Sequence, residues 1–317
     1  MNASAGASGA APVRLGFVDA GRLGGSLATA LQRAGYTIGA VSRRDPGRAG
    51  DLAARLGPGV LGTTEPQEVA EAADVLFLTT TDDRIATVAR SLQPRPGQTV
   101  IHCSGATPVS VLSSAKSAGA ATGGLHPLQT FPDEHGADRF RGITFGIESD
   151  EPAVLASLEG MASDLGGRCV RLDEASRPLY HASAVMIGPL TAALAGLASA
   201  LWTEMGYDRE TGLRALAPLL EATSRHVAEM GLPAAMTGPF VRGDVAPVRA
   251  HLSVLASLEP ETLRAYAAIA LAQLPLAAER GNIPWDRMRE LRTLLTNALE
   301  PPPREGEKIV AEENHAP

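Results

Sequence analysis

The chain of 317 residues contains few cysteines, few aromatic residues and almost no lysine. Its two cysteines, Cys103 and Cys169, are too few for a disulfide framework or a thiolate metal site, so we expect two reduced thiols and no metal. Lys116 and Lys308 are the only lysines, which leaves almost no candidate for a catalytic lysine. With a net charge of -7 and no long basic run, neither a nucleic acid nor an anionic membrane is an expected partner.

The two ends of the chain lack the patterns of folded structure. Residues 1–12 have neither the charged nor the apolar stretch of a signal peptide, so we expect a cytoplasmic protein with a disordered N-terminal tail. Residues 301–317 begin with three prolines and continue with charged residues, which predicts a second disordered tail. The chain is 44% hydrophobic, as globular proteins are, and its length indicates roughly two domains.

Short apolar runs alternate with helical patterns through residues 13–172. This alternation predicts an α/β domain with a doubly wound, Rossmann-like parallel sheet. The expected strands are residues 13–18, 37–42, 75–80, 99–103, 121–125, 143–147 and 168–172. Residues 173–300 instead show the alanine and leucine periodicity of an all-helical domain, which we expect to bind substrate and to form a homodimer.

The uncharged segment 182–202 is long enough to cross a membrane. It is, however, rich in alanine, glycine and serine, and it contains Gly188 and Pro189. Such weak hydrophobicity favours a helix that other helices bury at the centre of the second domain. We therefore expect no membrane span.

The sequence DAGRLG at residues 19–24 follows the first predicted strand and nearly matches the dinucleotide-binding pattern G-x-G-x-x-G. Gly21 would let the backbone approach a pyrophosphate, and Gly24 would let the helix pack closely on the strand. Asp19 stands where the first glycine is expected. It would either repel a phosphate or cap the helix amides and fill the anion site itself. The candidate cofactor residues of this turn are Asp19, Ala20, Gly21, Arg22, Leu23 and Gly24.

The second predicted strand ends in Ser42, Arg43 and Arg44. An NAD-binding unit usually has an acid here for the ribose hydroxyls, whereas a hydroxyl and two guanidinium groups fit a 2′-phosphate. We therefore predict NADP as the cofactor, with Thr80 at the end of a later strand as a further contact. The alternative is that the arginines are solvated surface side chains.

Two other predicted strands end in polar residues, HCSG at 102–105 and LHPLQT at 125–130. Ligands of open α/β sheets bind at such carboxyl ends. Reduction of a carbonyl or imine needs a proton donor, and histidine is suited to neutral pH. We take His126 as the candidate donor, Ser104 as its orienting partner and Thr130 as a substrate contact, while His102 is expected to be structural. The alternative is that these groups only stabilise tight turns.

The helical region holds two further candidates. His181 lies beside Tyr180 at the start of the uncharged segment and is a third catalytic candidate, although a histidine beside an apolar face more often belongs to a core or interface. Arg242 lies in the segment TGPFVRGD at residues 237–244 and could hold a substrate carboxylate. Alternatively, Asp244 holds Arg242 in a structural ion pair.

Over residues 13–299, the turn and the segments HCSGA, GLHPLQTF, YHASA and TGPFVRGD resemble a bacterial family of oxidoreductases. That family pairs a Rossmann-like NADP-binding domain with a helical domain of unknown function. The resemblance implies the 6-phosphogluconate dehydrogenase-like superfamily, with dimerisation through the helical domain, and similarity to ketopantoate and pyrroline-5-carboxylate reductases. The His-Pro pair is similar to one in prephenate dehydrogenases. Relatives have a small residue at the position of Asp19, and related reductases carry a lysine and an asparagine that this chain lacks.

The leading hypothesis is an NADP-dependent oxidoreductase that transfers a hydride between nicotinamide and a small carboxylate-bearing 2-oxo acid, such as ketopantoate, or an imine. A second hypothesis is a nucleotide-binding or sensing protein that has lost catalysis, because of Asp19 and the missing lysine and asparagine. A third is a prephenate-type dehydrogenase.

Overall fold

The structure is a computed structural model that describes residues 12–281 and 283–300. The predicted disordered tails therefore fall almost entirely outside the described residues. The chain divides into two compact units, Met1–Gly188 and Pro189–Pro317. The first unit thus continues beyond the last strand and includes one helix that the sequence pattern had placed with the second domain.

The first unit is built on one sheet of eight strands. The strands are β1 (Arg14–Val18), β2 (Thr37–Ser42), β3 (Leu61–Thr63), β4 (Val75–Leu78), β5 (Thr99–His102), β6 (Ala121–Pro127), β7 (Thr144–Glu148) and β8 (Arg168–Arg171). Their order is β3-β2-β1-β4-β5-β6-β7-β8. All neighbours are parallel except β6 and β7, which are antiparallel. The predicted doubly wound, Rossmann-like sheet is confirmed, with one reversal of direction and one short strand, β3, that the sequence pattern missed.

The described part of the first unit contains seven α-helices. They are α1 (Arg22–Arg33), α2 (Pro46–Leu56), α3 (Pro66–Ala72), α4 (Asp82–Ser91), α5 (Ser113–Ser117), α6 (Pro152–Asp164) and α7 (Arg177–Ile187). Successive strand side chains point to opposite faces, so Phe17 stacks on Phe77 at 4.9 Å in one core while Val18 and Leu78 lie in the other. Burial on both faces explains why the central strands are continuous apolar runs.

The second unit is helical in its described part. Its helices are α8 (Pro189–Ala200), α9 (Arg209–Met230), α10 (Pro239–Arg242), α11 (Val245–Leu255), α12 (Pro260–Glu279) and α13 (Trp285–Leu299). The buried side chains of its core come from α10 to α13, including Val248, Leu274 and Leu291. The expectation that the uncharged segment forms the centre of this domain is therefore wrong.

The uncharged segment is instead exposed. It forms α7 and α8, which are separated at Gly188, and only 6% of its most apolar window is buried. The stretch Arg177–Met205 is long and apolar enough to cross a membrane by length and composition alone. Leu179 and Ile187 are 77% and 80% exposed. Burial of this surface in a homodimer remains a prediction.

Helix α1 packs closely on the end of β4 through Gly24. A Cβ atom at this position would lie 2.3 Å from Oγ1 of Thr79, whose hydroxyl donates to the carbonyl groups of Val18 and Asp19. The predicted reason for Gly24, close packing of helix on strand, is therefore observed.

We predict that Gly24→Ala destabilises the protein by about 1–3 kcal/mol, because the added methyl group overpacks this contact. Gly50→Ala is a matched control, since Gly50 lies in α2 with nothing within 4 Å of its added Cβ. That control should be neutral or should stabilise by about 0.5–1 kcal/mol. Urea unfolding measures both free energies, and equal values for the two variants would contradict this packing account.

Candidate functional site

A cleft of about 620 Å³ lies at the carboxyl ends of β1, β2, β4 and β5. Its lining comes from the turn after β1, the residues after β2, β4 and β5, and the loop between β6 and β7. The lining residues are Asp19, Gly21, Arg22, Leu23, Arg43, Arg44, Asp45, Arg48, Thr79, Thr80, Thr81, Asp82, Cys103, Ser104, Phe131 and Glu134. Most of the predicted cofactor residues therefore share one cleft, while Ala20, Gly24 and Ser42 lie behind its surface.

The turn after β1 is held by the backbone of Asp19. This residue has φ 54°, in the left-handed region where glycine is usual and aspartate is tolerated. Its N–H donates to Oγ of Ser42 at 3.2 Å, and its carbonyl accepts from Thr79 Oγ1 at 3.1 Å. An aspartate can thus take the place of the first glycine without opening the turn.

The amino end of α1 faces the cleft. Gly21 is the residue before the helix, no side chain caps it, and an added Cβ would find no atom nearer than 3.8 Å. The expectation that Asp19 caps these amides is therefore wrong. The free N–H groups and the helix dipole make this end suitable for a phosphate.

The carboxylate of Asp19 forms an ion pair with Arg84 of α4. Oδ2 lies 3.2 Å from Nη1 of the guanidinium, and the Asp19 side chain is 19% exposed. Arg84 therefore offsets much of the repulsion that an acid at this position was expected to exert on a phosphate. Arg84 is a site residue that the sequence pattern did not identify, because it lies 65 residues away.

The exposed arginines near the end of β2 differ from those that the sequence predicted. Ser42 is buried and its hydroxyl is engaged by Asp19. Arg43 is also buried and forms an ion pair with Glu134. Arg44 and Arg48 are exposed in the cleft wall, and neither forms an ion pair with an acid among residues 12–281 and 283–300. The accessible cations are thus Arg44 and Arg48, the latter on the first turn of α2.

The end of β5 contributes Cys103 and Ser104 to the cleft. Burial raises the pKa of the Cys103 thiol to about 12, so this cysteine is not a thiolate nucleophile near neutral pH. Oγ of Ser104 donates to Thr107 and accepts the backbone N–H groups of Ala106 and Thr107. These bonds stabilise a tight turn, so Ser104 does not orient His126 as expected.

His126 is oriented by Tyr180 instead. Nδ1 of His126 lies 2.8 Å from the Tyr180 hydroxyl, which connects β6 to α7. The imidazole rests on Gly105, where a Cβ would lie 2.8 Å from the ring, and the phenol rests on Gly146, where a Cβ would lie 2.9 Å from its oxygen. Close approach thus requires glycine at both positions. His126 does not line the cleft itself but lies behind the turn at Ser104 and Gly105.

The pKa of His126 falls to about 4 because the ring is buried and because His181 and Arg177 are nearby. The His126 and His181 rings are 6.4 Å apart. At neutral pH the imidazole of His126 is therefore uncharged, and it acts through hydrogen bonds rather than as an imidazolium acid.

A buried ion pair between Arg177 and Glu148 lies next to the turn at Ser104. Arg177 is 1% exposed, and its Nε donates to Oε2 of Glu148 at 2.7 Å. Its Nη1 donates to the carbonyl of Ser104 at 2.8 Å, which ties α7 to the turn after β5. His102 is buried beneath, and its Nδ1 accepts from the Ser104 N–H. His102 is thus placed in the core, as expected, whereas Arg177 and Glu148 were missed.

Two predicted substrate contacts lie elsewhere. Thr130 is exposed outside the cleft, and its N–H donates to the Gln129 side chain. Arg242 belongs to the second unit, where its Nε donates to Asp244 at 2.7 Å. This is the ion pair that the sequence left as the alternative. No group of three or more potential metal ligands occurs among the described residues.

The fold defines a protein of two units, of which the first is a Rossmann-like domain with a cleft at the carboxyl ends of its strands. A Rossmann-like domain family matches residues 1–127, and the domain of unknown function DUF2520 matches residues 143–273. The chain therefore carries the domain pair of the oxidoreductase family that its sequence resembles, and that recognition is confirmed. No curated protein matches the chain.

Three solved structures show the range of similar proteins. A proposed NADP oxidoreductase from Bacteroides fragilis is 27% identical, with a TM-score of 0.68 over 83% of this chain and 98% of that one. A protein from Thermotoga maritima is 25% identical, with a TM-score of 0.68 over 85% and 100% of the two chains. A reductive aminase from Aspergillus terreus, in complex with NADPH and ethyl-5-oxohexanoate, is 20% identical, with a TM-score of 0.54 over 91% and 94%.

The buried histidines make stability depend on pH. Burial, with Arg177 and His126 nearby, lowers the pKa of His102 to about 3, and that of His126 is about 4. An unfolded histidine has a pKa of about 6.5. Between these values the unfolded chain binds more protons, so the free energy of unfolding falls as the pH is lowered.

We predict a loss of roughly 2 kcal/mol or more between pH 7 and pH 4.5, measured by urea unfolding with circular dichroism. His102→Gln should flatten this dependence although it lowers stability at pH 7. His226→Gln, which changes an exposed histidine of α9, should leave the slope unchanged. Identical slopes for all three proteins would show that the buried imidazoles do not control the dependence.

Proposed function

We propose that this protein is a cytoplasmic NADP-dependent oxidoreductase that reduces a small carboxylate-bearing 2-oxo acid, of which ketopantoate is one, or a related imine. The observation that carries the proposal is that the open amino end of α1 faces the same cleft as Arg44 and Arg48, two arginines without an acidic partner in the described part of the chain. These are the groups that a pyrophosphate and a 2′-phosphate require.

The residues of the cleft fit NADP. Arg22 and Leu23 would present backbone N–H groups to the pyrophosphate, and Arg44 and Arg48 would hold the 2′-phosphate. The part of the cleft at the ends of β4 and β5 is lined by thiol and hydroxyl side chains, among them Thr80, Cys103 and Ser104. When bound, NADPH supplies the hydride, and the protein must bind the acceptor and stabilise its developing negative charge.

His126 is the proposed donor to that charge, in its neutral form. The Tyr180 hydroxyl lies 2.8 Å from Nδ1 but 3.5 Å from the carbonyl of His126. We propose that Tyr180 donates to Nδ1 through the shorter contact, which places the proton of the neutral ring on Nε2. An Nε2–H group can donate a hydrogen bond to the negative charge that develops on the substrate oxygen or nitrogen.

The names of similar proteins support the reaction class. The Bacteroides protein is a proposed NADP oxidoreductase, and the Aspergillus enzyme is a reductive aminase in complex with NADPH. We infer the same cofactor for this chain, and we include both carbonyl and imine acceptors in the test. The substrate and the reaction direction are proposals that rest on the chemistry of the site.

A second candidate function is nucleotide binding without turnover. The observation that favours it is the position of His126 behind Ser104 and Gly105, outside the cleft lining. Two further features favour this candidate. Asp19 places an acid in the cleft wall, and the chain lacks the lysine that related reductases carry. A prephenate-type dehydrogenase is a further alternative, suggested by the His-Pro pair.

We predict that the wild-type protein oxidises NADPH with at least one member of a panel of 2-oxo acids, tested with and without amines, and of cyclic imines. His126→Ala should lower kcat about 100-fold or more and Tyr180→Phe roughly tenfold, because the first removes the proposed hydrogen-bond donor and the second removes the hydroxyl that orients it. Tyr266→Phe is the matched control, since Tyr266 lies 2.9 Å from His251 in a similar pair of the second unit.

Three outcomes separate the candidates. NADPH binding without turnover in any assay favours the nucleotide-binding protein. Oxidation of prephenate with NADP, and no reduction of 2-oxo acids, favours the dehydrogenase. Unchanged kcat in His126→Ala would remove His126 from the mechanism.

A further inference from the structure

The loop between β6 and β7 places the carboxylate of Glu134 in the wall of the cleft. Oγ of Ser26, a fully buried residue of α1, accepts the N–H of Gly136 at 3.1 Å, and its proton is shared between the carbonyl groups of Arg22 at 2.8 Å and Asp133 at 3.3 Å. Glu134 lies between these two attachments and lines the cleft. Its Cβ would lie 3.2 Å from a Cβ built on Gly25, so the loop lies directly on the helix. The position of the Glu134 carboxylate is therefore built into the fold.

Glu134 binds two arginines at once. Its Oε2 lies 2.6 Å from Nη1 of Arg43, and its Oε1 lies 2.8 Å from Nη2 of Arg55. Burial alone would raise its pKa, but the hydrogen bonds and charges of Arg55 and Arg43 hold the pKa of Glu134 below its ordinary value. The residue is therefore an anion at neutral pH, with a side chain 26% exposed.

Arg43 has unused hydrogen-bonding capacity in the same place. Its side chain is only 9% exposed, and its Nε and Nη2 atoms have no hydrogen-bond partner among residues 12–281 and 283–300. Leaving donors of a buried cation unpaired is costly, so such groups usually have a partner in the functional state. A single carboxylate that is shared with Arg55 does not supply enough acceptors for this guanidinium.

The surroundings have an excess of positive charge. Arg44 and Arg48 line the same cleft without an acidic partner among the described residues, in addition to the two arginines on Glu134. Asp45 is the nearby acid, and its Oδ1 accepts the backbone N–H of Arg48 as the cap of α2. These arginines could therefore bind a second anion that has several acceptor oxygens.

We propose that Glu134 is a resident counter-ion at the 2′-phosphate subsite and that it limits the preference of the protein for NADP(H) over NAD(H). Its carboxylate takes the contact with Arg43 that a phosphate would otherwise make, and its charge opposes the phosphate. A phosphate carries more charge and more acceptor oxygens than a carboxylate, so it can compete with Glu134 for the guanidinium of Arg43. This inference rests on the proposed NADP site.

The test is Glu134→Gln, which removes the charge and keeps the shape. In this variant Arg43 is buried without a counter-ion until a phosphate binds. Isothermal titration should show NADPH and 2′,5′-ADP binding roughly tenfold more tightly than to the wild type, because a like charge has been removed. NADH and 5′-AMP, which lack the 2′-phosphate, should change by less than about twofold.

Glu159→Gln is the matched control. Glu159 binds Arg171 through Nε and Nη2 at 3.0 and 2.8 Å, and it does not line the cleft. This variant should leave the affinities for all four ligands unchanged.

Two results would overturn the proposal and can be told apart. If the wild type binds NADPH but Glu134→Gln leaves the NADPH to NADH affinity ratio unchanged or lowers it, Glu134 does not limit the preference. The proposed cofactor would still stand in that case. If neither protein binds NADPH or 2′,5′-ADP, the proposed cofactor fails and the role of Glu134 fails with it.

Discussion

The geometry of the cleft depends on the hydrogen bonds that join three strand ends at Asp19. Its N–H binds the side chain of Ser42 at the end of β2, and its carbonyl binds Thr79 at the end of β4. The N–H of Ala20 donates to the carbonyl of Ser42 at 2.8 Å and adds a second connection to β2. These bonds fix where the chain turns into α1, and the cleft residues of β2 and β4 are placed relative to that turn. Because they involve backbone groups, an aspartate can replace the usual glycine here if it accepts a positive φ.

Two acids that line the cleft are paired with arginines from other parts of the first unit. Asp19 is paired with Arg84, and Glu134 is paired with Arg43 and Arg55. Arg44 and Arg48 are left over, so this side of the cleft favours an anion although the whole chain has a net charge of -7. A global charge therefore says little about the ligand of a local site.

The parts that the sequence predicted are those with local signals. The strand runs, the turn at Gly21 and Gly24 and the burial of His102 depend on residues close together in the chain, and the structure bears these out. The direction of β7 was not predictable, because an apolar run gives no direction, and β3 has only three residues.

The parts that were missed depend on tertiary contacts. The partner of His126 is Tyr180, 54 residues away, and Arg177 and Glu148 are 29 residues apart. In the sequence both charged residues look like ordinary surface side chains. The segment 182–202 was expected to be buried because it is uncharged, yet the described chain leaves it exposed. An apolar composition predicts that the segment will be buried, but it does not say whether the same chain or a second chain buries it.

The most direct test of the account is a fluorescence titration of the wild type and of an Arg44→Ala/Arg48→Ala double variant with NADPH and with NADH. The account predicts that the wild type binds NADPH more tightly than NADH. The double variant should lose this preference, about tenfold or more in NADPH affinity, while its NADH affinity is retained. Equal affinity of the wild type for both nucleotides, or no binding of either, would contradict the account.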